Sequence, residues 1–188
     1  MKKSIFLFFA FCLFAFQAIS QKIDCPPAFR GLLKKANLDF FEPLDAGYKN
    51  FEPAENEYLN AQFAIRSAKE KLEIRYFIIP WEEDNPLASN PHISTFTALA
   101  NVATNADEEV VSVIQPTAAM LQKDFNADWG MTYFFRPKEA FSDKKSCRMV
   151  ALCKEGQATV FIFYLFNDAG NRALDTRYRA LRFLGEAN

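Results

Sequence analysis

The fold is decided by one stretch, Cys147-Arg148-Met149-Val150-Ala151-Leu152-Cys153-Lys154-Glu155-Gly156-Gln157-Ala158-Thr159-Val160-Phe161-Ile162-Phe163-Tyr164-Leu165-Phe166. Residues 147–153 and 158–166 are typical of strands, and residues 154–157 are typical of a turn, so the stretch predicts a β-hairpin. Residues 159–166 are apolar on both faces of the strand. We therefore expect this strand to lie in the middle of a sheet that is covered by other layers on both sides.

A second hairpin is predicted upstream. Residues 62–66 alternate between polar and apolar side chains, 67–70 form a turn, and 71–79 alternate again. The core face of the returning strand is expected to consist of Leu72, Ile74, Tyr76 and Ile78. The opposite face begins with Lys71, Glu73 and Arg75, which we expect to be exposed to solvent, and ends with Phe77 and Ile79, which we expect to be covered. Further strands are predicted at 38–43 and 131–135, with one edge strand within 44–60.

Four helices are predicted around these strands. The first covers 28–37, where Pro26 and Pro27 suit a first helical turn. The second takes Ser94 or Thr95 as its N-cap and has an apolar stripe of Phe96, Leu99, Ala100 and Ala103. The third starts at Pro116-Thr117 and should end near Gly130. The last starts at about Asp175, and its inward residues should be Tyr178, Leu181 and Leu184, with Arg177, Arg179 and Arg182 outward.

Runs of strands, without strict alternation of strand and helix, indicate the α+β class. We expect an antiparallel β-sheet with helices packed on its faces, built by residues 21–188 as a single globular domain. The element order, together with Glu73-Ile74-Arg75-Tyr76 and Phe125-Asn126-Ala127-Asp128-Trp129-Gly130, resembles the PsbP-like sandwich and small exported proteins of unassigned role. This resemblance implies an architecture only, because the fold hosts unrelated roles and no catalytic motif accompanies it.

The N-terminus has the pattern of a secretory signal peptide. Lys2 and Lys3 precede an uninterrupted apolar run at 5–16, and Ala18-Ile19-Ser20 supplies small residues for cleavage before Gln21. An uncleaved anchor is the alternative, although the run is shorter than the roughly 20 residues that span a bilayer. We expect residues 1–20 to be a signal peptide, the product to be periplasmic or secreted, and no stable membrane span to remain after cleavage.

Three cysteines follow the predicted signal peptide: Cys25, Cys147 and Cys153. The last two lie six positions apart on one predicted strand, which separates them by about 20 Å. A disulfide needs Cα atoms within about 7 Å, so these two cannot pair on an extended strand. Cys25 with either Cys147 or Cys153 stays open, and buried free thiols are the favoured interpretation.

The charges exclude some classes of function. Lysine and arginine number 22 and aspartate and glutamate 23, which gives no cationic field for nucleic acid. The 6 glycines are not clustered, so no glycine-rich phosphate loop is present. No cofactor is expected, and the partner should be an envelope protein or a small ligand.

His92 is the only histidine, so any histidine-dependent catalytic site depends on it. A hydrolase would use His92 with Asp124 or Asp128. A histidine just ahead of a helix cap is more often a hydrogen-bonded spacer, and no catalytic residue is therefore predicted. The oxygen ligands at alternate positions in 124–130 resemble a calcium loop, but Trp129 and Phe135 stand where an EF-hand needs glycine and glutamate. We expect Asn126 and Asp128 to satisfy backbone groups at a helix C-terminus, with no metal site.

The candidate binding residues are Trp81, Arg75, Tyr76, Asn126 and Trp129. Trp81 precedes the acidic run Glu82-Glu83-Asp84, and Arg75 and Tyr76 could line a groove on the sheet. The favoured hypothesis is an exported non-catalytic binding or accessory domain. Two alternatives stay open: the His92-dependent hydrolase, and a carrier of a small apolar ligand in a cavity within the phenylalanine-rich core.

Overall fold

The computed structural model describes residues 23–57, 59–106 and 109–185. The predicted signal peptide, 1–20, and its cleavage position lie outside the described residues. The elements, in chain order, are α1 (Pro27–Lys35), β1 (Leu38–Phe40), β2 (Lys49–Asn50), β3 (Phe63–Ser67), β4 (Leu72–Pro80), α2 (Pro86–Ser89), α3 (Pro91–Val102), β5 (Ser112–Ile114), α4 (Ala118–Met120), a π-helical turn (Leu121–Phe125), β6 (Trp129–Phe135), β7 (Ser146–Lys154), β8 (Ala158–Phe166), α5 (Ala173–Arg177) and β9 (Leu181–Phe183).

Seven strands form one antiparallel sheet in the order β2-β3-β4-β8-β7-β6-β5, and β1 pairs with β9 in a separate two-stranded ribbon. Both predicted hairpins are confirmed as β3–β4 and β7–β8. All nine residues of β8 are buried, and β4 and β7 flank this strand. The predicted central position of β8 is therefore confirmed, and so is the α+β class with an antiparallel sheet and helices packed on its faces.

The side of the sheet that carries Tyr76, Ile162 and Tyr164 is called face A. Helix α1, the β1–β9 ribbon, α5 and the π-helical turn supply the residues that cover it. The ring of Phe29 from α1 lies 4.7 Å from that of Phe63 and 5.7 Å from that of Tyr76. These rings pack on one another, so the aromatic content of face A is used to build the core.

The opposite side, face B, carries the buried residues Met149, Phe161 and Phe163. Helix α3 covers it with the buried residues Ser94, Thr95, Ala98 and Val102, and Phe141 packs beside it. The predicted apolar stripe of this helix was wrong at Phe96, which is 74% exposed, and at Ala100, which is exposed too. The face of the helix that meets the large rings of β8 consists of small residues, which allow close approach.

The start of α3 also differs from the prediction. Asn90 is the N-cap, and its side chain accepts a hydrogen bond from the backbone N–H of Ile93 at 3.2 Å. Ser94 and Thr95, predicted as caps, are buried inside the helix. Asparagine is a strong N-cap and Pro91 fits the first helical turn, so the helix begins four residues before Thr95.

The helix predicted to end near Gly130 ends at Phe125. Asn126, with φ of 51°, adopts the left-handed conformation of a C-cap. Trp129 and Gly130 belong to β6. A Cβ at Gly130 would lie 2.6 Å from Leu121 Cδ2 and 3.1 Å from the carbonyl oxygen of Ala151. Gly130 is thus explained by close packing between the π-helical turn and the sheet.

The predicted terminal helix was wrong. Helix α5 ends at Arg177, and Leu181–Phe183 forms β9, which pairs with β1. Leu181 and Phe183 are fully buried, whereas Leu184 is 43% exposed. The inward residues of the segment therefore follow the period of two of a strand, which the pairing with Leu38–Phe40 imposes.

The cysteines Cys25, Cys147 and Cys153 are buried and free, which confirms the favoured interpretation. Cys25 belongs to the core on face A and Cys147 to the core on face B, so the sheet separates them. Burial raises the pKa of all three thiols above the ordinary value.

None of the helices in the described ranges has the length and the apolar composition of a membrane-spanning segment.

Two phenylalanine substitutions test this arrangement of the layers. We expect Phe161→Ala to lower the free energy of unfolding by about 3–5 kcal/mol, because it opens a cavity between β8 and α3. The matched change Phe96→Ala removes the same atoms from an exposed position and should alter stability by no more than about 0.5 kcal/mol. Urea unfolding followed by circular dichroism measures both values. Equal losses of stability in the two variants would contradict the placement of α3.

Candidate functional site

A cleft of about 780 Å³ opens at one end of the sheet, where β2 and β4 begin and β3 ends. We call it the basic cleft, because Lys49, Arg66, Lys71 and Lys144 line it. Glu73 and Asp168 are the acidic residues of the lining. Lys144 precedes β7 and Asp168 follows β8, so five neighbouring strands contribute to the same site.

The sheet register places like charges side by side in the basic cleft. Lys49 of β2 is the direct cross-strand partner of Arg66 of β3. Like charges directly opposite each other destabilise a sheet. No carboxylate of the described residues forms an ion pair with Lys49, Arg66 or Lys71; the guanidinium of Arg66 lies 4.4 Å from the ring centre of Phe51. An anion in the cleft would relieve this repulsion.

Glu73 does not offset the positive charge of the basic cleft, because it is already neutralised. Arg75 Nε donates to Glu73 Oε1 at 2.6 Å, and both side chains are 5% exposed. Arg75 Nη1 also donates to the carbonyl oxygen of Phe141 at 2.6 Å, and its guanidinium lies 4.7 Å from the Phe141 ring centre. The predicted solvent exposure of Glu73 and Arg75 was therefore wrong: the two charges are buried together beneath the segment that contains Phe141.

A charged group at the β3–β4 turn, which we call the hairpin-turn cluster, consists of Asp45, Tyr48, Glu70 and Arg177. Arg177 contacts Glu70 through two bonds, Nε to Oε2 at 3.0 Å and Nη2 to Oε1 at 2.6 Å. Its Nη2 also lies 2.7 Å from Asp45 Oδ1, and the Tyr48 hydroxyl donates to Glu70 Oε2 at 2.6 Å. These contacts attach the β3–β4 turn to α5.

The pKa of Glu70 follows from these contacts. Burial alone would raise it, but the hydrogen bonds from Arg177 and Tyr48 outweigh burial and lower the pKa below its ordinary value. Burial and the bond to Glu70 raise the pKa of the Tyr48 hydroxyl. Glu70 is therefore ionised and Tyr48 neutral at neutral pH, so the cluster carries fixed charges.

His92 and Asp124 do not form a catalytic pair. His92 is exposed on α3, and its ring lies edge-on to Trp129 at 4.9 Å, on face B. Asp124 is buried in the π-helical turn on face A, where Tyr178 donates to its Oδ2 and Arg179 Nη2 lies 2.6 Å from its Oδ1. The sheet separates the two residues, so the structure does not bring together the His92–Asp124 pair that the hydrolase alternative needs.

Asp128 and Asn126 bind protein groups. Asp128 Oδ2 accepts from the backbone N–H of Glu155 at 3.0 Å. Asn126 Nδ2 donates to the carbonyl oxygen of Phe183 at 3.1 Å, and Lys154 Nζ donates to the carbonyl oxygen of Asn126 at 3.0 Å. No hydrogen bond joins His92 to Asp128 among the described residues. In the same part of the chain, no group of three or more His, Cys, Asp and Glu side chains is arranged to hold a metal ion.

The remaining candidate binding residues lie apart from the basic cleft. Tyr76 is fully buried on face A, against Phe29, Phe40 and Phe63, so it is not available to a surface ligand. Arg75 lines a separate pocket of about 390 Å³ next to residues 50–56, but its guanidinium is occupied by Glu73 and Phe141. Trp81 is 38% exposed at the end of β4, and Trp129 is half-buried beside His92.

The cleft residues were missed because no local pattern unites them. Lys49, Arg66, Lys71 and Lys144 come from four separate segments, and each resembles an ordinary exposed cation in sequence. No protein-family model, curated protein or solved structure matches this chain. The PsbP-like resemblance therefore stays a prediction, and the function is inferred from the site's own chemistry.

Because of the hairpin-turn cluster, the stability of the folded protein should depend on pH. Because the pKa of Glu70 is lowered in the folded state, its stabilisation is present above the ordinary value of 4.5 and is lost as the pH falls below it. We expect Glu70→Gln to cost about 1–3 kcal/mol at pH 7, and the difference from wild type to shrink between pH 5 and roughly pH 3. Urea unfolding at several pH values measures this.

The control is Glu83→Gln, at an exposed glutamate outside the cluster. It should change stability little at any pH. If the difference in the free energy of unfolding between Glu70→Gln and wild type stayed constant down to pH 3, that result would contradict the assigned role of the Glu70 charge.

Proposed function

We propose that this chain is an exported, non-catalytic binding domain that takes a small anionic ligand in the basic cleft. The observation that carries the proposal is the direct pairing of Lys49 with Arg66, next to Lys71, with no ion pair to any of the three among the described residues. The carboxylate directly opposite Arg66 on β4, Glu73, is bonded to Arg75 instead. The cleft volume of about 780 Å³ lies within the range of small-molecule sites.

The chemistry of the cleft favours carboxylate or phosphate groups. Arg66 presents a planar fork of donors that matches either group, and the Phe51 ring supports its guanidinium. Lys49 and Lys71 add point charges from the adjacent strand and turn. Lys144 is only 25% exposed and lies 2.7 Å from Asp143, so it is less available than the other three.

Several observations support binding over catalysis. The only histidine and the buried Asp124 lie on opposite faces of the sheet, and Asp128 is bound by backbone and lysine groups. The basic cleft contains no histidine, cysteine or unpaired buried carboxylate that would serve as nucleophile or general base. The phenylalanine rings on face A pack on one another, which favours a structural role over the apolar-carrier alternative.

Export is part of the proposal and rests on residues 1–20. The positive start, the apolar run and the small residues at Ala18 and Ser20 support cleavage and a periplasmic or secreted product. The PsbP-like sandwich is proposed as the architecture to which the sheet and its helices are related. An envelope protein would then be the source or the acceptor of the ligand.

Binding of defined anions tests the proposed site. We expect pyrophosphate and citrate to bind wild type, with glucose as the uncharged comparison, in titration calorimetry at low and high salt. Affinity for the anions should fall as salt rises, because exposed charges are screened. Arg66→Gln with Lys71→Gln should weaken binding about tenfold or more, since at least one charge-assisted contact is lost.

The matched control is Lys123→Gln with Arg30→Gln, which makes the same change in net charge at exposed positions on elements that do not line the cleft. It should bind as wild type does. Equal weakening in both double variants would point to a general charge effect, and wild type that bound neither anion would refute the proposed ligand class. Native mass spectrometry of protein purified from its own host would identify a co-purifying anion.

The export step has its own test. Mass spectrometry of the protein recovered from its own host should give a chain that begins at Gln21. Replacing Ala18 and Ser20 by bulky residues should block cleavage, because the peptidase accepts small side chains at these two positions. Recovery of a soluble chain that still begins at Met1 would contradict the predicted cleavage and export, and it would not bear on the proposed ligand site.

A further inference from the structure

Strand β5 and the two residues before it, Val110 and Val111, form an apolar and exposed edge of the sheet. Val110, Val111, Val113 and Ile114 are 76%, 40%, 50% and 56% exposed. Strand β5 is the last strand of the seven-stranded sheet and pairs with β6 on one side only, within the described residues. Its other side therefore offers backbone N–H and C=O groups to a further strand.

The two edges of the sheet differ in how they are protected. At the opposite edge, β2 has two residues, both exposed and polar, and includes Lys49. Short edge strands that carry lysine resist pairing with another chain. The stretch Val110-Val111-Ser112-Val113-Ile114-Gln115-Pro116 contains no charge. The β5 edge has a short strand of three residues too, but it lacks the lysine that protects the β2 edge.

We propose that residues 110–114, which comprise β5 and the two residues before it, pair antiparallel with the same segment of a second copy of this chain, about a two-fold axis at Ser112. Val110 and Val111 extend the strand in the dimer. In this register Val110 faces Ile114 of the other copy, Val111 faces Val113, and Ser112 faces Ser112. Each aliphatic residue then meets an aliphatic residue on the same face of the sheet, which is the arrangement that stabilises cross-strand pairs. The two sheets become one continuous sheet across the dimer.

The charges around the segment favour a second copy as the occupant. Glu109 would lie opposite Gln115 and not opposite a second carboxylate, and it is already paired with Arg136 at 3.1 Å within its own chain. Like charges therefore do not meet at the two-fold axis. A two-fold interface is self-complementary by its symmetry, and this short sequence meets that condition residue by residue.

A charge-exchange experiment tests both the dimer and its register. Wild type should sediment as a dimer in analytical ultracentrifugation at about 100 μM and dissociate on dilution, as expected for a micromolar Kd. Ser112→Lys and Ser112→Glu each place two like charges directly opposite each other and should give monomers. An equimolar mixture of the two variants should restore the dimer, because a lysine then faces a glutamate.

The control is Asn50→Lys, which adds the same charge at the β2 edge and should leave the dimer unchanged. Ser112 is exposed, so circular dichroism and the thermal midpoint should match wild type in both Ser112 variants. Wild type that stays monomeric at about 100 μM would overturn the proposal. So would a dimer that survives both single variants, or a mixture that stays monomeric.

Discussion

The structure depends on a strand that cannot meet water on either side. All nine residues of β8 are buried, with Ile162 and Tyr164 on face A and Phe161 and Phe163 on face B. Because β4 and β7 must both pair with β8 to satisfy its backbone groups, the sheet is built outward from the centre. The chain must then supply two separate covers, which explains why α1 and the ribbon lie on one side and α3 on the other.

The predictions that succeeded used local information. The β3–β4 and β7–β8 hairpins follow from alternation and from turns of four residues, and the apolar run of β8 indicates burial on both faces without reference to distant segments. Two of the predictions that failed needed a distant partner. Glu73 and Arg75 look exposed until Phe141 covers them, and Leu181 fits a helical stripe as well as a strand until Leu38–Phe40 pairs with its segment. Periodicity reports which residues are apolar and does not report which remote segment meets them.

The candidate site could not be predicted from the sequence for the same reason: its residues come together only through contacts between distant segments. Single residues such as His92 and Asp124 attract attention because of their chemistry, yet the sheet holds them on opposite faces. The residues of the basic cleft are the opposite case. Lys49, Arg66 and Lys71 look like ordinary exposed cations in the sequence, and only the register of β2, β3 and the following turn brings them close together. A chain of nearly balanced charge can therefore bring several basic side chains into one cleft, and net charge excludes only ligands that need a large charged surface.

The two proposed surfaces are compatible because of the strand order. Lys49, Arg66 and Lys71 of the basic cleft belong to β2, β3 and the turn before β4, whereas the proposed dimer contact is at β5, on the opposite edge. Five strand spacings separate β3 from β5, which is about 24 Å at the usual spacing in a sheet. Pairing through β5 would then place the two clefts at the outer ends of the combined sheet, where both remain open. The unequal protection of the two edges has a physical reason in this arrangement: the β2 edge must stay unpaired for a ligand to reach Lys49 and Arg66, whereas the β5 edge is free to be covered.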